Sequence, residues 1–255
     1  MSAANPLPVP RTVDLDLARV HYESWGFKRR LEHALLTVGA ALAQARRPYV
    51  AFSGGKDSTV VLSLVQLVRP DVPLLWSDDE LELPETVDLM TRLKALAGEQ
   101  MIVTLGWAPH AGWFRPWRDA PYWREPLPGA VRIGMDVDDW MGSQGYDLTI
   151  LGTRRTESVK RNKWLGEAGP LYRVRRGTGL RCCPIADWSE DDVWALIAGW
   201  GLAYNAAYDV MERIGIPRRR QRVGPLPLAP RSQLEAGWPD VLARLETRYQ
   251  RRWTE

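Results

Sequence analysis

The run Ser53-Gly54-Gly55-Lys56-Asp57-Ser58 holds the groups needed to bind an anion. Adjacent glycines let the backbone bend and approach a ligand closely. Ser53 and Ser58 offer hydroxyl donors, and Lys56 adds a cation. Asp57 would repel a bare phosphate, so it suits a bound metal or a helix-capping N–H. The run lies between the apolar segment Pro48-Tyr49-Val50-Ala51-Phe52 and the apolar stretch from Thr59 to Val68. That order reads as strand, glycine turn, helix. A helix starting there presents unpaired N–H groups and the positive end of its dipole. Adjacent glycines exclude both the G-x-x-x-x-G-K-[ST] loop and the G-x-G-x-x-G turn. A pair of glycines alone would read as a turn before a capped helix; the complete hexapeptide argues for a phosphate cradle.

A second segment with anion chemistry is Leu151-Gly152-Thr153-Arg154-Arg155-Thr156-Glu157-Ser158-Val159-Lys160-Arg161. A glycine leaves a strand end, and Arg154, Ser158 and Arg161 follow as donors. The planar guanidinium grips oxygens in pairs. Taken alone, the segment reads equally well as a solvated basic turn. Formal net charge is only +3, yet basic residues also cluster at Lys160 to Lys163, Arg173 to Arg176 and Arg218-Arg219-Arg220-Gln221-Arg222. Polyphosphate, sulfate or nucleic acid could meet such clusters, and a solvated basic face is the plain alternative. The two cysteines, Cys182 and Cys183, are adjacent. They exclude a disulfide framework and a self-contained four-cysteine zinc or iron–sulfur site.

The elements that must position these residues follow from periodicity. Leu31, Leu35, Leu36, Val38 and Leu42 predict a helix between Val20 and Arg47, ended by Pro48. Strands are predicted at about 49–52, 74–76, 101–105 and 149–151. Helices are predicted at about 58–68, 84–96, 136–144 and 191–199. Alternating strands and helices imply an α/β fold with a parallel, doubly wound sheet. In such sheets ligands bind beyond the carboxyl ends of the strands, where the glycine run, Asp78 and the residues after Leu151 all fall. The 255 residues divide into a flexible proline-bearing lead-in (1–19), an α/β domain (20–203) and a basic extension (204–255) ending in an amphipathic helix from about Pro239. The α/β domain carries an aromatic insert at 106–135, with Trp107, Trp113, Trp117, Tyr122 and Trp123. Trp is abundant, 13 against three Phe, and Trp188, Trp194 and Trp200 read as core. No apolar run approaches a membrane span. Met1 to Pro10 does not read as a signal peptide, so the cytoplasm is the expected compartment.

The glycine run resembles the PP-loop of ATP pyrophosphatases. Together with Asp78, Pro84-Glu85-Thr86, the Gly152-to-Arg161 segment, Pro184 to Trp194, and Tyr204-Asn205 followed by Tyr208-Asp209, it resembles the phosphoadenosine phosphosulfate reductase family over about residues 45–215. The resemblance implies an adenine nucleotide α-hydrolase-like, Rossmann-like fold. It implies that Ser53, Gly54, Gly55, Lys56, Asp57 and Ser58 hold the β,γ-phosphates of ATP, or the sulfate or phosphate of a sulfonucleotide. Trp76 and Asp78 would flank the adenosine. Gly152, Arg154 and Ser158 would line the nucleotide, and Arg161 would meet a phosphate or a second substrate. Lys56, Arg154 and Arg161 would neutralise charge, and Asp57 and Asp78 would hold Mg²⁺. The reductases resemble one another in a C-terminal Glu-Cys-Gly-x-x-His segment, and no cysteine follows Cys183 here. The iron–sulfur branch adds a later Cys-x-x-Cys to its Cys-Cys pair, which is also missing. The resemblance therefore points to an ATP pyrophosphatase that adenylates a substrate, with sulfur from a separate donor protein and a possible homodimer. The alternatives are a sulfonucleotide reductase or sulfotransferase, thiolation of nucleic acid gripped by Arg218 to Arg222, and a nucleotide-binding subunit without turnover.

Overall fold

The computed structural model describes residues 15–78, 80–105, 124–226 and 229–249. Seven strands form one sheet: β1 (Pro48–Ala51), β2 (Leu74–Asp78), β3 (Met101–Leu105), β4 (Val131–Arg132), β5 (Leu148–Ile150), β6 (Leu171–Arg173) and β7 (Leu180–Cys182). Their order is β4-β3-β2-β1-β5-β7-β6, and every pairing is parallel except β6 with β7. Successive strands run outward from β1 to β4, and the chain then returns to place β5 on the other side of β1. The β1–β5 boundary is thus the topological switch point, where a crevice opens beyond the strand ends.

The helices are α1 (Asp16–Tyr22), α2 (Trp25–Ala43), α3 (Lys56–Val68), α4 (Pro84–Ala97), α5 (Val137–Ser143), α6 (Val159–Ala168), α7 (Glu190–Trp200), α8 (Ala207–Arg213), α9 (Arg231–Gly237) and α10 (Pro239–Tyr249). Both sheet faces are covered, which is why the inner strands are apolar at nearly every position. Val50, Leu74, Trp76, Met101 and Val103 enter the main core with residues of α2, α3 and α7. Their neighbours Tyr49, Leu75 and Ile102 enter a smaller cluster with Met141 and Trp140 of α5.

The long first helix of the sequence reading is two helices. Ser24 takes an extended backbone and its hydroxyl oxygen accepts from the Phe27 N–H, so it caps α2 and breaks the chain after Tyr22. Helix α1 begins at Asp16, inside the segment expected to be a lead-in; residues 1–14 lie outside the described residues. Helix α1 packs on α7, where a Cβ at Gly199 would lie 2.2 Å from the Tyr22 ring. Strands β4, β6 and β7 were not expected: each is two or three residues long and carries an arginine. The C-terminal segment contributes Leu226, Leu234, Trp238, Leu242 and Leu245 to the main core. The Trp238 indole donates to both oxygens of Glu85, at 3.0 and 2.9 Å.

Candidate functional site

The glycine run occupies the turn from β1 into α3, at the switch point. Gly54 holds φ +76°, and a Cβ there would meet Met90 Cε at 2.8 Å. Gly152, just past β5, meets the same turn from the other side. A Cβ on it would lie 2.8 Å from the Asp57 carbonyl carbon and 2.9 Å from the Ser58 nitrogen. Only a residue without a side chain lets these two strand-end loops approach so closely. Ser58 Oγ donates to Gly55 O at 2.8 Å, and the Ser53 and Ser58 hydroxyls lie 3.2 Å apart, so both brace the loop. Lys56 N–H donates to the Tyr208 hydroxyl at 3.0 Å. Among the described residues, the N–H groups of Gly54, Asp57 and Ser58 have no acceptor. The last two belong to the first turn of α3, where no intrahelical acceptor exists. Gly54 and Ser58 are buried, and buried N–H groups without partners are rare.

Beneath the turn lies a closed ion network. Lys56 Nζ sits 3.1 Å from Asp57 Oδ2 and 3.3 Å from Glu190 Oε1. Arg154 Nε sits 2.5 Å from Asp57 Oδ1, and its Nη2 2.9 Å from Glu190 Oε2. Two cations and two carboxylates therefore alternate, with Lys56 wholly buried and Arg154 2% exposed. Burial alone would pull the Lys56 ammonium down, but the oxygens of Tyr208, Asp57 and Glu190 hold it above its ordinary value. Burial opposes the Arg154 charge in the same way, and Asp57 and Glu190 outweigh it. The Tyr208 hydroxyl is pushed up by its own burial. The network ties β1–α3, the loop after β5 and the start of α7 into one unit.

The remaining expected residues are distributed around this unit. Ser158 caps α6, accepting from Arg161 N–H at 3.2 Å. Arg161 is half exposed and pairs with Glu157, whose Oε2 also accepts from the Arg154 N–H at 3.0 Å. Trp76 is 1% exposed and belongs to the core. The Arg124 guanidinium lies 5.5 Å from its ring centroid. Asp78 is fully buried at the end of β2. Its Oδ1 accepts from Arg124 Nη2 at 2.6 Å and from Glu80 N–H at 2.8 Å, while Oδ2 has no hydrogen-bond partner among the described residues. Thr86 and Asn205 hydrogen-bond at 2.9 Å beside Gly54, so segments far apart in the chain meet at the turn. Glu190 and Tyr208 lie in segments that carry the family resemblance but were not expected at the site, and Arg124 was not expected at all. Arg124 was hidden in the aromatic insert, of which residues 106–123 lie outside the described residues.

The model of the phosphoadenosine phosphosulfate reductase domain family matches residues 47–216. The chain belongs to this family. It is 28% identical over 167 residues to adenosine 5'-phosphosulfate reductase of Staphylococcus haemolyticus, across 62% of this chain and 63% of that protein. It is 27% identical over 187 residues to sulfate adenylyltransferase subunit 2 of Xanthomonas euvesicatoria pv. vesicatoria, across 61% and 58%. Phosphoadenosine 5'-phosphosulfate reductase of Xanthomonas campestris pv. campestris is 26% identical over 209 residues, across 81% and 82%. The matched region thus spans less than two thirds of the first two relatives. Phosphoadenylyl-sulfate reductase from Candida auris shares the fold at TM-score 0.54 and 14% identity, across 81% of this chain and 98% of that one. Candida glabrata FMN adenylyltransferase does so at TM-score 0.54 and 11% identity, across 83% and 68%.

This member of the reductase family keeps its thiols out of reach. Cys182 and Cys183 are both free and fully buried. Burial raises the Cys182 thiol far above its ordinary value and pushes Cys183 up to about 11. A nucleophilic thiolate needs the opposite environment. Among the described residues, no three His, Cys, Asp or Glu side chains gather to hold a metal, and no helix is long and apolar enough to cross a membrane.

Proposed function

We propose that the chain is a PP-loop ATP pyrophosphatase. A substrate oxygen attacks the α-phosphorus of ATP, the bond from that phosphorus to the bridging oxygen breaks, and pyrophosphate leaves with an adenylated substrate remaining. The observation that carries this reading is the set of acceptor-less N–H groups at Gly54, Asp57 and Ser58 in the switch-point turn. Fixed N–H dipoles at a helix start suit phosphate oxygens and need no reorganisation as charge develops. Lys56 and Arg154 act mainly by positioning, because their charge is already matched by Asp57 and Glu190. Arg161 lies further out and is suited to a phosphate or a second substrate. Gly152 lets the β5 loop close on the cradle, with Ser158 setting the helix that carries Arg161.

Magnesium prefers one or two carboxylates plus substrate phosphates, where it neutralises phosphate charge. Asp78 fits this through Oδ2, which has no partner among the described residues. Asp57 fits less well, since both its oxygens already face cations. The buried thiols disfavour a reductase that uses its own cysteine. The names of the reductase relatives favour a second reading, a sulfonucleotide bound in the same cradle.

The test is calorimetric titration of Mg-ATP and, separately, of the sulfonucleotide into wild type and Gly54→Ala, with pyrophosphate release measured in parallel. Mg-ATP should bind, and forcing alanine into the φ +76° position should weaken binding by about tenfold or more. Preference for the sulfonucleotide would replace this reading with the second. ATP binding without pyrophosphate release under any substrate would leave a nucleotide-binding subunit.

A further inference from the structure

The basic run Arg218 to Arg222 has no part in the cradle, and its residues have different fates. Arg218 lies 3.9 Å from Glu212 and stacks 5.8 Å from the Trp194 ring centroid. Gln221 is buried and anchors the loop, its amide donating to Glu212 Oε2 and to Ile216 O, both at 2.9 Å. Arg220 and Arg222, on either side of it, are exposed and pair with no carboxylate among the described residues. Both line a cleft of about 670 Å³ between the segment after α8 and helix α9. Its walls include Ile214, Ile216, Val223 and Ala236. That volume and that mixture, apolar walls with a few polar and charged side chains, suit a small-molecule site.

The wall of the cleft includes Leu83, the residue just before α4, and Leu226 N–H donates to Leu81 O at 2.7 Å. The cleft therefore borders the loop that leaves β2 beyond Asp78. We infer that it binds a small organic acid, its anionic head held by Arg220 and Arg222 and its apolar body lying on Ile214, Ile216 and Val223. Two guanidiniums over a concave apolar wall suit one anionic head better than a polyanion, which needs a row of cations along a surface. If the proposed reaction is right, the acid is the second substrate: its carboxylate oxygen bonds to the α-phosphorus as pyrophosphate leaves. That role rests on the proposed function; the binding does not.

Octanoate, octanol, inorganic sulfate and a short single-stranded oligonucleotide, each titrated calorimetrically into the full chain without nucleotide, separate the possibilities. Octanoate should bind one per chain. The Arg220→Gln/Arg222→Gln double variant should weaken it by about tenfold or more, the effect of losing charge-assisted hydrogen bonds. Ala236→Trp, which fills the cleft from an exposed position, should do the same. Melting temperatures of both variants should stay at the wild-type value. Octanol binding as tightly as octanoate, or sulfate binding as tightly with the same arginine dependence, would overturn the organic-acid assignment. Arginine-dependent binding of the oligonucleotide alone, or no binding of any probe, would overturn it too. Octanoate binding to a chain that releases no pyrophosphate would sink the proposed reaction and leave the site standing.

Discussion

The switch-point turn and the C-terminal cleft are both basic in sequence, yet they handle charge in opposite ways. In the turn, Lys56 and Arg154 are buried and each faces two carboxylates. In the cleft, Arg220 and Arg222 are exposed and face none among the described residues. The difference follows from solvation. A cation taken out of water must be paired, because the desolvation cost is several kcal/mol per ion, whereas one left in water need not be. Cations in a binding motif are therefore not by themselves free charge for a ligand. At the turn the spare donors are backbone N–H groups, and the spare side-chain charge is in the cleft.

The largest effect expected from this contrast is on stability. Lys56→Ala would leave Asp57 and Glu190 facing a single guanidinium in a buried setting. Breaking a buried pair by removing one partner costs about 3–5 kcal/mol, and the urea midpoint should fall accordingly. If the variant kept its midpoint and lost only nucleotide binding, Lys56 would be a ligand contact and the contrast would collapse.

A smaller effect separates packing from cradle geometry. Gly152→Ala would push a methyl group to 2.8 Å from the α3 backbone at Asp57. Overpacking of this kind costs about 1–3 kcal/mol, and here the shift falls on the first turn whose N–H groups lack acceptors. Nucleotide affinity should therefore drop by more than the loss of stability explains. Among the described residues, nothing lies within 4 Å of the Cβ position of Gly166 in α6, and Gly166→Ala should stabilise the chain by about 0.5–1 kcal/mol. Equal destabilisation by the two substitutions would remove the argument for a close loop approach.

Much of the turn was legible in the sequence, because its parts are local. The hexapeptide, Gly152 and Asp78 sit at the ends of β1, β5 and β2, and alternation of strands and helices brings those ends to one edge. Glu190 was not legible as a partner of Lys56. Its local signal, an acidic residue in the first turn of α7 after the Ser189 cap, is fully explained by helix capping. The contact across more than a hundred residues exists only once α7 is docked. Tyr208 belongs to the Tyr208-Asp209 motif, but its hydroxyl's bond to the Lys56 N–H has no local signature. Strands β4, β6 and β7 are too short for a period of two to register. The break at Ser24 was masked by apolar residues that continue in helical spacing on both sides. The split of the Arg218 to Arg222 run into anchored and spare side chains depends on where Glu212, Trp194 and α9 end up, so composition alone could suggest only a basic patch.

A pH series tests the rule of paired interior charge. Asp192 of α7 accepts from His21 Nε2 at 2.7 Å, Arg30 Nη2 at 2.7 Å and the Ser189 hydroxyl at 2.9 Å, joining α1 and α2 to α7. Burial opposes its charge, but the hydrogen bonds from Arg30, His21 and Ser189 win and hold the carboxyl below the usual carboxylate range. A carboxyl lowered on folding contributes stability above its unfolded pKa, about 3.9, and loses it as pH falls through the lower folded value. Asp192→Asn should therefore cost about 1–2 kcal/mol at neutral pH, with the gap to wild type narrowing below about pH 4. The Arg220→Gln/Arg222→Gln variant should stay within about 0.5 kcal/mol of wild type, as surface substitutions do, at every pH. Urea midpoints of the three proteins at pH 3 and pH 7 decide the matter. A gap for Asp192→Asn that did not narrow in acid, or a cleft variant as unstable as it, would mean that the interior and surface charges of this chain are not divided by solvation in the way their contacts indicate.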